Sequence, residues 1–215
     1  MYYVIRAPDL VRAKDFYATV FGWTYTDDSH IQGSSPAGGF AEGEPGTDLY
    51  LEVPDVKAAV ARLRELGGEA PDPVRSASGW SCQAEGGLLA LWQPAEGYAQ
   101  SSPKCAEGDL FYYVVPVADD AVKDRYRAVL GWELSTGSHS NGWNIDNSVP
   151  RGGVFVDHAG RPDLYFRVAD IDEAAQRIRH AGGTAGDTQP NSAGRHAACR
   201  DDQGVRFSIS SLREG

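Results

Sequence analysis

Apolar and polar residues alternate along several short segments of the 215-residue chain, and this period of two predicts β-strands. In Asp48–Val53, Leu49 and Leu51 share one face with Val53, while the intervening positions carry Asp, Tyr and Glu. Each such segment leads into an amphipathic stretch of about three turns, which predicts a helix. The pattern therefore predicts strands whose apolar faces pack under helices.

The predicted helices share one start signal and one stop signal. An aspartate precedes each helix, where its side chain can accept hydrogen bonds from free backbone N–H groups. A glycine follows each helix, where it can adopt the left-handed conformation that ends the helix. The unit of strand, Asp-capped helix, Gly stop and further strands is used four times, with the aspartates at Asp9, Asp55, Asp119 and Asp170 and the glycines at Gly22, Gly67, Gly131 and Gly182.

A longer repeat divides the chain into two similar halves. The segment Phe16–Trp23 returns as Arg125–Trp132, and Asp48–Val53 returns as Asp163–Val168, in the same order. Such repetition indicates an old duplication with loop insertions. Between the halves lies a stretch rich in Pro, Gly and Ser without an apolar period, which is typical of a surface connector. We predict an N-terminal domain at residues 1–98, a linker at 99–108 and a C-terminal domain at 109–215.

Charge and cysteine content exclude several classes of function. The formal net charge is -10 without any run of Lys and Arg, which argues against nucleic acid or an anionic membrane as partner. The three cysteines, Cys82, Cys105 and Cys199, are widely spaced, so neither a disulfide framework nor a structural zinc site is expected. We find no leader peptide and no apolar run long enough to span a bilayer, and we expect a reducing cytoplasmic location.

The strand faces opposite the helices combine aromatic and charged side chains. This mixture is typical of a concave surface that binds a small molecule; the alternative is a solvated outer face with occasional aromatic residues. We predict ligand-binding residues at Tyr2, Arg6, Asp48, Tyr50, Glu52, Trp92, Asp163, Tyr165, Arg167, Arg206 and Ser208.

Four features together resemble the vicinal oxygen chelate superfamily: the repeated unit, the Val-x-Asp helix entries, the segment Phe16–Trp23 and the ending Gly87–Pro94. This superfamily includes glyoxalase I, extradiol dioxygenases and bleomycin-resistance proteins. The resemblance extends from Tyr2 to Leu212 and implies an α+β fold. It implies four tandem βαβββ modules that form two glyoxalase-like domains with curved mixed sheets. It does not choose a function, because the superfamily contains metalloenzymes and metal-free binding proteins.

The resemblance also implies where a metal would bind. Superfamily enzymes place a His seven residues before the Val-x-Asp aspartate, and this sequence has Tyr2, Asp48, Tyr112 and Asp163 there. The final-strand Glu of those enzymes is replaced by Ala90 and Ser208. We therefore predict that the metal site is lost, that no cofactor is bound, and that Tyr112 joins the ligand-binding residues.

Two pairs of residues at repeated or similar positions have open roles. His30 and His139 are either hydrogen-bonding groups or general bases of the pocket, or turn and strand residues inherited with the repeat. Trp80 and Trp143 either stack on a flat ligand or fill the core or an interface, and we include them among the predicted ligand-binding residues.

The first functional hypothesis is metal-independent binding of a hydrophobic or aromatic small molecule, such as antibiotic or natural-product sequestration of the bleomycin-resistance type. The alternative is an enzyme, a lyase, isomerase or dioxygenase, with an atypical metal site or metal-free acid–base chemistry. Its candidate catalytic residues are Asp48, Asp163, His30 and His139. A third possibility is a regulatory or structural protein that has lost the pocket. We expect a small-molecule partner and a monomer, with the two halves as an internal pseudo-dimer, or a homodimer.

Overall fold

A computed structural model describes residues 1–26, 28–98, 106–190 and 194–212. Cys105 and residues 99–105 of the predicted linker lie outside the described residues. Each quarter of the chain has the predicted order of a strand, a helix and further strands. In the first half, the elements are β1 (Tyr2–Ala7), α1 (Leu10–Phe21), β2 (Thr24–Tyr25), β3 (Ile31–Gln32), β4 (Gly38–Glu42), β5 (Gly46–Glu52), α2 (Val56–Glu65), β6 (Val74–Ser76), β7 (Gly79–Ala84) and β8 (Leu89–Pro94).

The second half repeats this order with one additional short strand. Its elements are β9 (Leu110–Val117), α3 (Asp120–Leu130), β10 (Leu134–Thr136), β11 (Gly142–Ile145), β12 (Arg151–Val156), β13 (Asp163–Arg167), α4 (Ile171–His180), β14 (Thr184–Ala185), β15 (Gln189–Pro190), β16 (Gly194–Arg200) and β17 (Arg206–Leu212). None of the helices within the described residues is long and apolar enough to cross a membrane.

The predicted helix caps are confirmed. The Asp9 carboxylate accepts hydrogen bonds from the backbone N–H groups of Val11 and Arg12 at 3.0 and 3.1 Å. Asp55 and Asp170 each accept two such hydrogen bonds, and Asp119 accepts one from Val122. Gly22 caps the end of α1 with φ of 71° and Gly131 caps the end of α3 with φ of 66°, the left-handed region that a side chain disfavours. Short-range sequence chemistry therefore determines where these helices begin and end.

The chain divides into two compact units, each assembled from both halves of the sequence. The first unit contains Met1–Tyr2, Asp48–Gln100 and Val114–Pro162, and the second contains Tyr3–Thr47, Ser101–Tyr113 and Asp163–Gly215. Helix α2 contacts α3 in the first unit, and α1 contacts α4 in the second. The predicted domain boundaries at residues 98 and 109 stay a prediction.

The first unit contains a run of four strands under α2. Strand β5 pairs with β8 in parallel, and β8, β7 and β6 follow as antiparallel neighbours. The apolar positions of these strands are buried together with one stripe of α2, as the alternation predicts. Strands β10, β11 and β12 form a second antiparallel run, and α3 contacts β12. The buried residues of the α2 layer include Leu49, Leu51, Val60, Leu63, Cys82, Leu89 and Leu91.

The second unit has an aromatic core. Strand β1 pairs with β4 in parallel, and β13 pairs with β17 in parallel. Strand β17 also pairs with β16, in antiparallel orientation. The rings of Tyr17 and Trp23 are stacked with centroids 5.4 Å apart, and Phe21 lies 5.3 Å from Phe166. The absence of a side chain at Gly38 leaves room for the Tyr3 ring, because a Cβ there would lie 2.2 Å from Cζ of Tyr3. The other aromatic members of this core are Phe16, Phe40 and Phe207.

Candidate functional site

In the first unit, the strand face opposite α2 brings predicted site residues together. Across β5, β8 and β7, Tyr50 pairs with Ala90, which pairs with Gln83. One row further, Glu52 pairs with Trp92, which pairs with Ser81. Because successive side chains alternate between faces, this set lies on the other side of the sheet from the buried leucines.

A buried carboxylate anchors a polar network on this face. The side chain of Asp48 is 1% exposed, and its Oδ1 accepts a close hydrogen bond from Nη1 of Arg161. Its Oδ2 accepts from Nε2 of Gln83 at 3.1 Å, and the same amide nitrogen donates to the Tyr50 hydroxyl at 2.9 Å. Both oxygens of Asp48 are therefore held by donor side chains, as a buried carboxylate requires.

Four aromatic rings lie next to this network. The Tyr2 ring centroid is 6.4 Å from that of Tyr50 and 6.5 Å from that of Trp92. Tyr98 meets Trp92 edge-on at 5.0 Å, and the Trp92 indole N–H donates to the Ser78 carbonyl at 3.2 Å. Burial raises the pKa of Tyr98. We refer to Tyr2, Tyr50, Trp92 and Tyr98, with Asp48, Gln83 and Arg161, as the aromatic face.

Glu52 continues the row beyond the rings. Its Oε2 lies 3.4 Å from the terminal amine of Met1. Burial lowers the pKa of this amine, and the Glu52 carboxylate partly opposes that shift. Because the Glu52 side chain is 47% exposed, this ion pair contributes little to stability.

The corresponding face of the second unit is built from hydroxyl and imidazole groups. The Tyr165 ring lies 5.5 Å from Tyr112 and 6.3 Å from His196. Tyr165 pairs with Ser208 across β13 and β17, and His196 pairs with Ser210 across β16 and β17. We refer to Tyr112, Tyr165, His196, Ser208 and Ser210 as the hydroxyl face.

Charged side chains flank the hydroxyl face. Burial raises the pKa of Tyr165, Asp163 raises it further, and a hydrogen bond with Ser208 and the charge of Arg206 oppose these shifts. Burial also raises the pKa of Tyr112. Arg167 is half-buried opposite Ser210, and Arg206 is exposed. Arg6 is half-buried on β1 opposite Ala41 of β4.

Trp80 and Trp143 lie on the helix-facing sides of their strands. Lys57 of α2 places Nζ 4.4 Å from the Trp80 ring centroid, and Lys123 of α3 places Nζ 4.2 Å from that of Trp143. Trp80 pairs with Gln93, whose side chain accepts a hydrogen bond from the first residue of α2, Val56. Trp80 therefore lies on the opposite sheet face from Tyr50 and Trp92, and ligand stacking by Trp80 or Trp143 stays a prediction.

The two candidate histidines lie on the periphery. His30 Nδ1 is 3.0 Å from Oδ1 of Asp28, and both side chains are more than half exposed. His139 is exposed in the turn between β10 and β11, with its ring 6.1 Å from that of Phe155. His30 belongs to the second unit and His139 to the first, so neither unit contains both. Their predicted catalytic roles stay a prediction.

The side chains at the superfamily's metal-binding positions do not form a suitable donor set. In the first unit, Asp48 already binds Arg161 and Gln83, and Ala90 offers no donor atom. In the second unit, burial disfavours the phenolate that Tyr112 would need to bind a metal. Over the described ranges, no three His, Cys, Asp or Glu side chains cluster in a way that could hold a metal ion.

Sequence reasoning missed Gln83, Tyr98, Arg161 and His196. Alternation could have found His196, because its neighbours Ala197 and Cys199 are buried. The same pattern on β7 would have placed Gln83 opposite the buried Cys82. Arg161 and Tyr98 lie outside strands and helices, where no periodic signal exists.

Comparison with known proteins finds a family match in the N-terminal part of the chain. The family model described as the glyoxalase-like domain matches residues 2–98. The predicted resemblance to the vicinal oxygen chelate superfamily is confirmed by this match and by the structural neighbours described below.

Two curated relatives align with this chain over nearly its full length. "Putative glyoxylase CFP32" of Mycobacterium tuberculosis is 26% identical, and the alignment covers 95% of this chain and 91% of the relative. "Anthracycline biosynthesis protein DnrV" of Streptomyces peucetius is also 26% identical, with 97% of this chain and 91% of the relative covered. Both alignments therefore include both halves of this chain.

Solved structures confirm the fold class. The 2,3-dioxygenase LapB from Pseudomonas sp. KL28 has a TM-score of 0.66 at 14% identity, covering 99% of this chain and 91% of LapB. The Mn(II)-bound glyoxalase from Novosphingobium aromaticivorans has a TM-score of 0.64 at 16% identity, covering 99% of this chain and 82% of that glyoxalase. At these identities the likeness establishes the fold alone: an α+β architecture of βαβββ modules with curved mixed sheets in two glyoxalase-like halves.

Proposed function

We propose that the protein binds a hydrophobic or aromatic small molecule at the aromatic face without a metal ion. One observation carries the proposal: the contiguous rings of Tyr2, Tyr50 and Trp92 lie beside Asp48, whose two oxygens are held by Arg161 and Gln83. Rings provide apolar area for a ligand, and a carboxylate occupied in this way is a poor metal ligand.

The chemistry of the face favours a flat, aromatic ligand. Tyr2 and Tyr50 are half-buried, so each still presents ring surface to a ligand. Trp92 is 4% exposed, and its ring packs near that of Tyr2. Each aromatic contact with a ligand contributes about 0.5–1.5 kcal/mol beyond the area that it buries. Two or three such contacts and the buried area are enough for micromolar affinity, which corresponds to about 8 kcal/mol.

The name of one relative supports a natural product as the ligand. DnrV is named as an anthracycline biosynthesis protein, and anthracyclines contain a planar polycyclic ring system. We therefore propose planar polyketide-like compounds as the first ligand class to test. Sequestration of such a compound, as bleomycin-resistance proteins sequester antibiotics, is the proposed biological role.

Isothermal titration calorimetry with hydroxyanthraquinones tests this function. We expect Tyr50→Ala to weaken binding at least tenfold, because it removes a ring that contacts the ligand. Trp80→Ala is the matched control, since it also removes an aromatic side chain of the first unit but on the α2 side, and it should change the dissociation constant less than about twofold. Absence of binding by the unmodified protein across the series would refute the proposal.

A second candidate function is metal-free acid–base catalysis on a small metabolite, and the hydroxyl face favours it. Tyr165, Ser208 and His196 lie close together there, and phenol, hydroxyl and imidazole groups can transfer protons. Turnover of a candidate metabolite should fall at least about a hundredfold in Tyr165→Phe and His196→Gln. His158→Gln, which changes an exposed histidine of the first unit, is the control. Equal turnover in all three variants would exclude catalysis at this face.

A further inference from the structure

Arg161 is held by one of its nitrogens and exposes the rest of its guanidinium group. Nη1 donates to the buried Asp48, while 38% of the Arg161 side chain is exposed. Throughout the described part of the chain, the guanidinium donates no second hydrogen bond. A guanidinium carries five N–H donors and no acceptor, so several of its donors face solvent.

This guanidinium is fixed beside the aromatic rings. Gln83 joins Asp48 to the Tyr50 hydroxyl through hydrogen bonds of 3.1 and 2.9 Å, so Arg161 is separated from Tyr50 only by Asp48 and this amide. Pro162 follows Arg161 and restricts its backbone to extended conformations. Because Nη1 is already held by Asp48, the guanidinium loses less conformational freedom than an unbound one when it meets a ligand at the aromatic face.

Fixed donors of this kind select for an acceptor on the ligand. A guanidinium matches a carboxylate with two parallel hydrogen bonds, and hydrogen bonds to anionic oxygens are stronger than those to neutral ones. We infer that Arg161 is the polar anchor of the aromatic face and selects aromatic ligands that carry an anionic oxygen, a carboxylate or a phenolate. This inference rests on the proposed function.

The repeat places such an anchor in only one unit. Arg161 stands two residues before Asp163, and the residue two before Asp48 is Gly46. The loop that ends in Asp163 thus supplies a cation to the first unit, whereas the corresponding loop of the first half supplies none at that position. This position of the repeat therefore supports anion selectivity at the aromatic face.

Calorimetry with two probes of the same ring system tests the inference. Anthraquinone-2-carboxylate and 2-(hydroxymethyl)anthraquinone differ in one oxygen-bearing group. The unmodified protein should bind the carboxylate roughly tenfold more tightly, a difference of about 1.4 kcal/mol. In Arg161→Met the ratio should fall to about one, with binding of the neutral probe changed less than about threefold. Arg195→Met makes the same change in net charge at an exposed ion pair of the second unit and should leave the ratio unchanged.

The outcomes separate the inference from the function on which it rests. A protein that binds both probes equally, or an Arg161→Met variant that keeps the preference, overturns the inference while the proposed function stands. Failure of the unmodified protein to bind either probe overturns both. If Arg161→Met does not fold, the double variant Asp48→Asn/Arg161→Met avoids a lone buried charge, and the same loss of preference is expected from it.

Discussion

The two units differ in the residues that fill the layer between strands and helices. In the second unit, Phe21, Phe166 and Phe207 pack under the helices, and the other face carries hydroxyl groups and an imidazole. In the first unit, leucines fill the layer under α2 and the rings of Tyr50 and Trp92 lie on the other face. The phenylalanine rings of the second unit therefore stabilise its core, whereas Tyr2 and Tyr50 of the first unit are half-buried on the face opposite the helix.

This difference arises at equivalent positions of one duplicated framework. Both units keep a parallel pair, β5 with β8 and β13 with β17, joined to an antiparallel neighbour, β7 or β16. The duplication preserved this register and the caps, because each determines which face is buried. Several positions on the strand face opposite the helices differ between the units. The equivalent residues, first unit before second, are Ala90 and Ser208, Trp92 and Ser210, Ser81 and His196, and Glu52 and Arg167.

The largest expected loss of stability is in the core of the second unit. Phe166→Ala should lower the free energy of unfolding by about 3–5 kcal/mol, because a fully buried ring leaves a large cavity. Leu51→Ala, at the corresponding strand position of the first unit, should cost about 2–4 kcal/mol. Urea unfolding followed by circular dichroism measures both. A smaller loss for Phe166→Ala than for Leu51→Ala would contradict the assignment of structural rings to the second unit.

A smaller effect should separate two ion pairs, one in each unit. Arg161→Met should cost about 2 kcal/mol, because the buried Asp48 carboxylate then loses the cation that compensates its charge. Arg195→Met should cost less than about 1 kcal/mol, since its pair with Asp172 is exposed. Thermal unfolding of both variants at neutral pH checks this. Equal losses of stability would show that burial of Asp48 does not increase the contribution of its ion pair with Arg161.

The smallest effect concerns pH and the hydroxyl face. Burial and Asp163 raise the pKa of Tyr165 above its ordinary value near 10, so the fold favours the neutral phenol. Stability contributed by this preference is complete below pH 10 and is lost as pH rises through the elevated pKa. The melting temperature of the unmodified protein should therefore fall more steeply above pH 10 than that of Tyr165→Phe. Parallel curves between pH 8 and 11 would contradict the raised pKa.

Much of the fold could be predicted because its determinants are local. Asp9 and Gly22 fix the ends of α1 through backbone hydrogen bonds within one turn, and the same chemistry recurs in the other three helices. Leu49 and Leu51 are buried while Tyr50 is not, as the period of two requires. Neither inference needs knowledge of a distant segment.

The candidate site was harder to predict, because part of it depends on distant segments. Trp80 lies on the same face of β7 as the buried Cys82 and Ala84, so its helix-facing position could have been deduced from the alternation. Arg161 could not, because it reaches Asp48 from a loop 113 residues away along the chain. Its role is determined by the pairing of modules, and no local pattern encodes that pairing.

The interleaved order of the two units has a consequence for biosynthesis. Helix α1 ends at Phe21 and packs against α4, which begins at Ile171. At a synthesis rate of roughly 5–20 residues per second, α4 follows α1 from the ribosome after an interval on the order of ten seconds. The apolar stripe of α1 and the carboxylate of Asp48 therefore lack their partners, α4 and Arg161, until late in translation. Nascent chains of this protein should depend on chaperone protection until synthesis is almost complete.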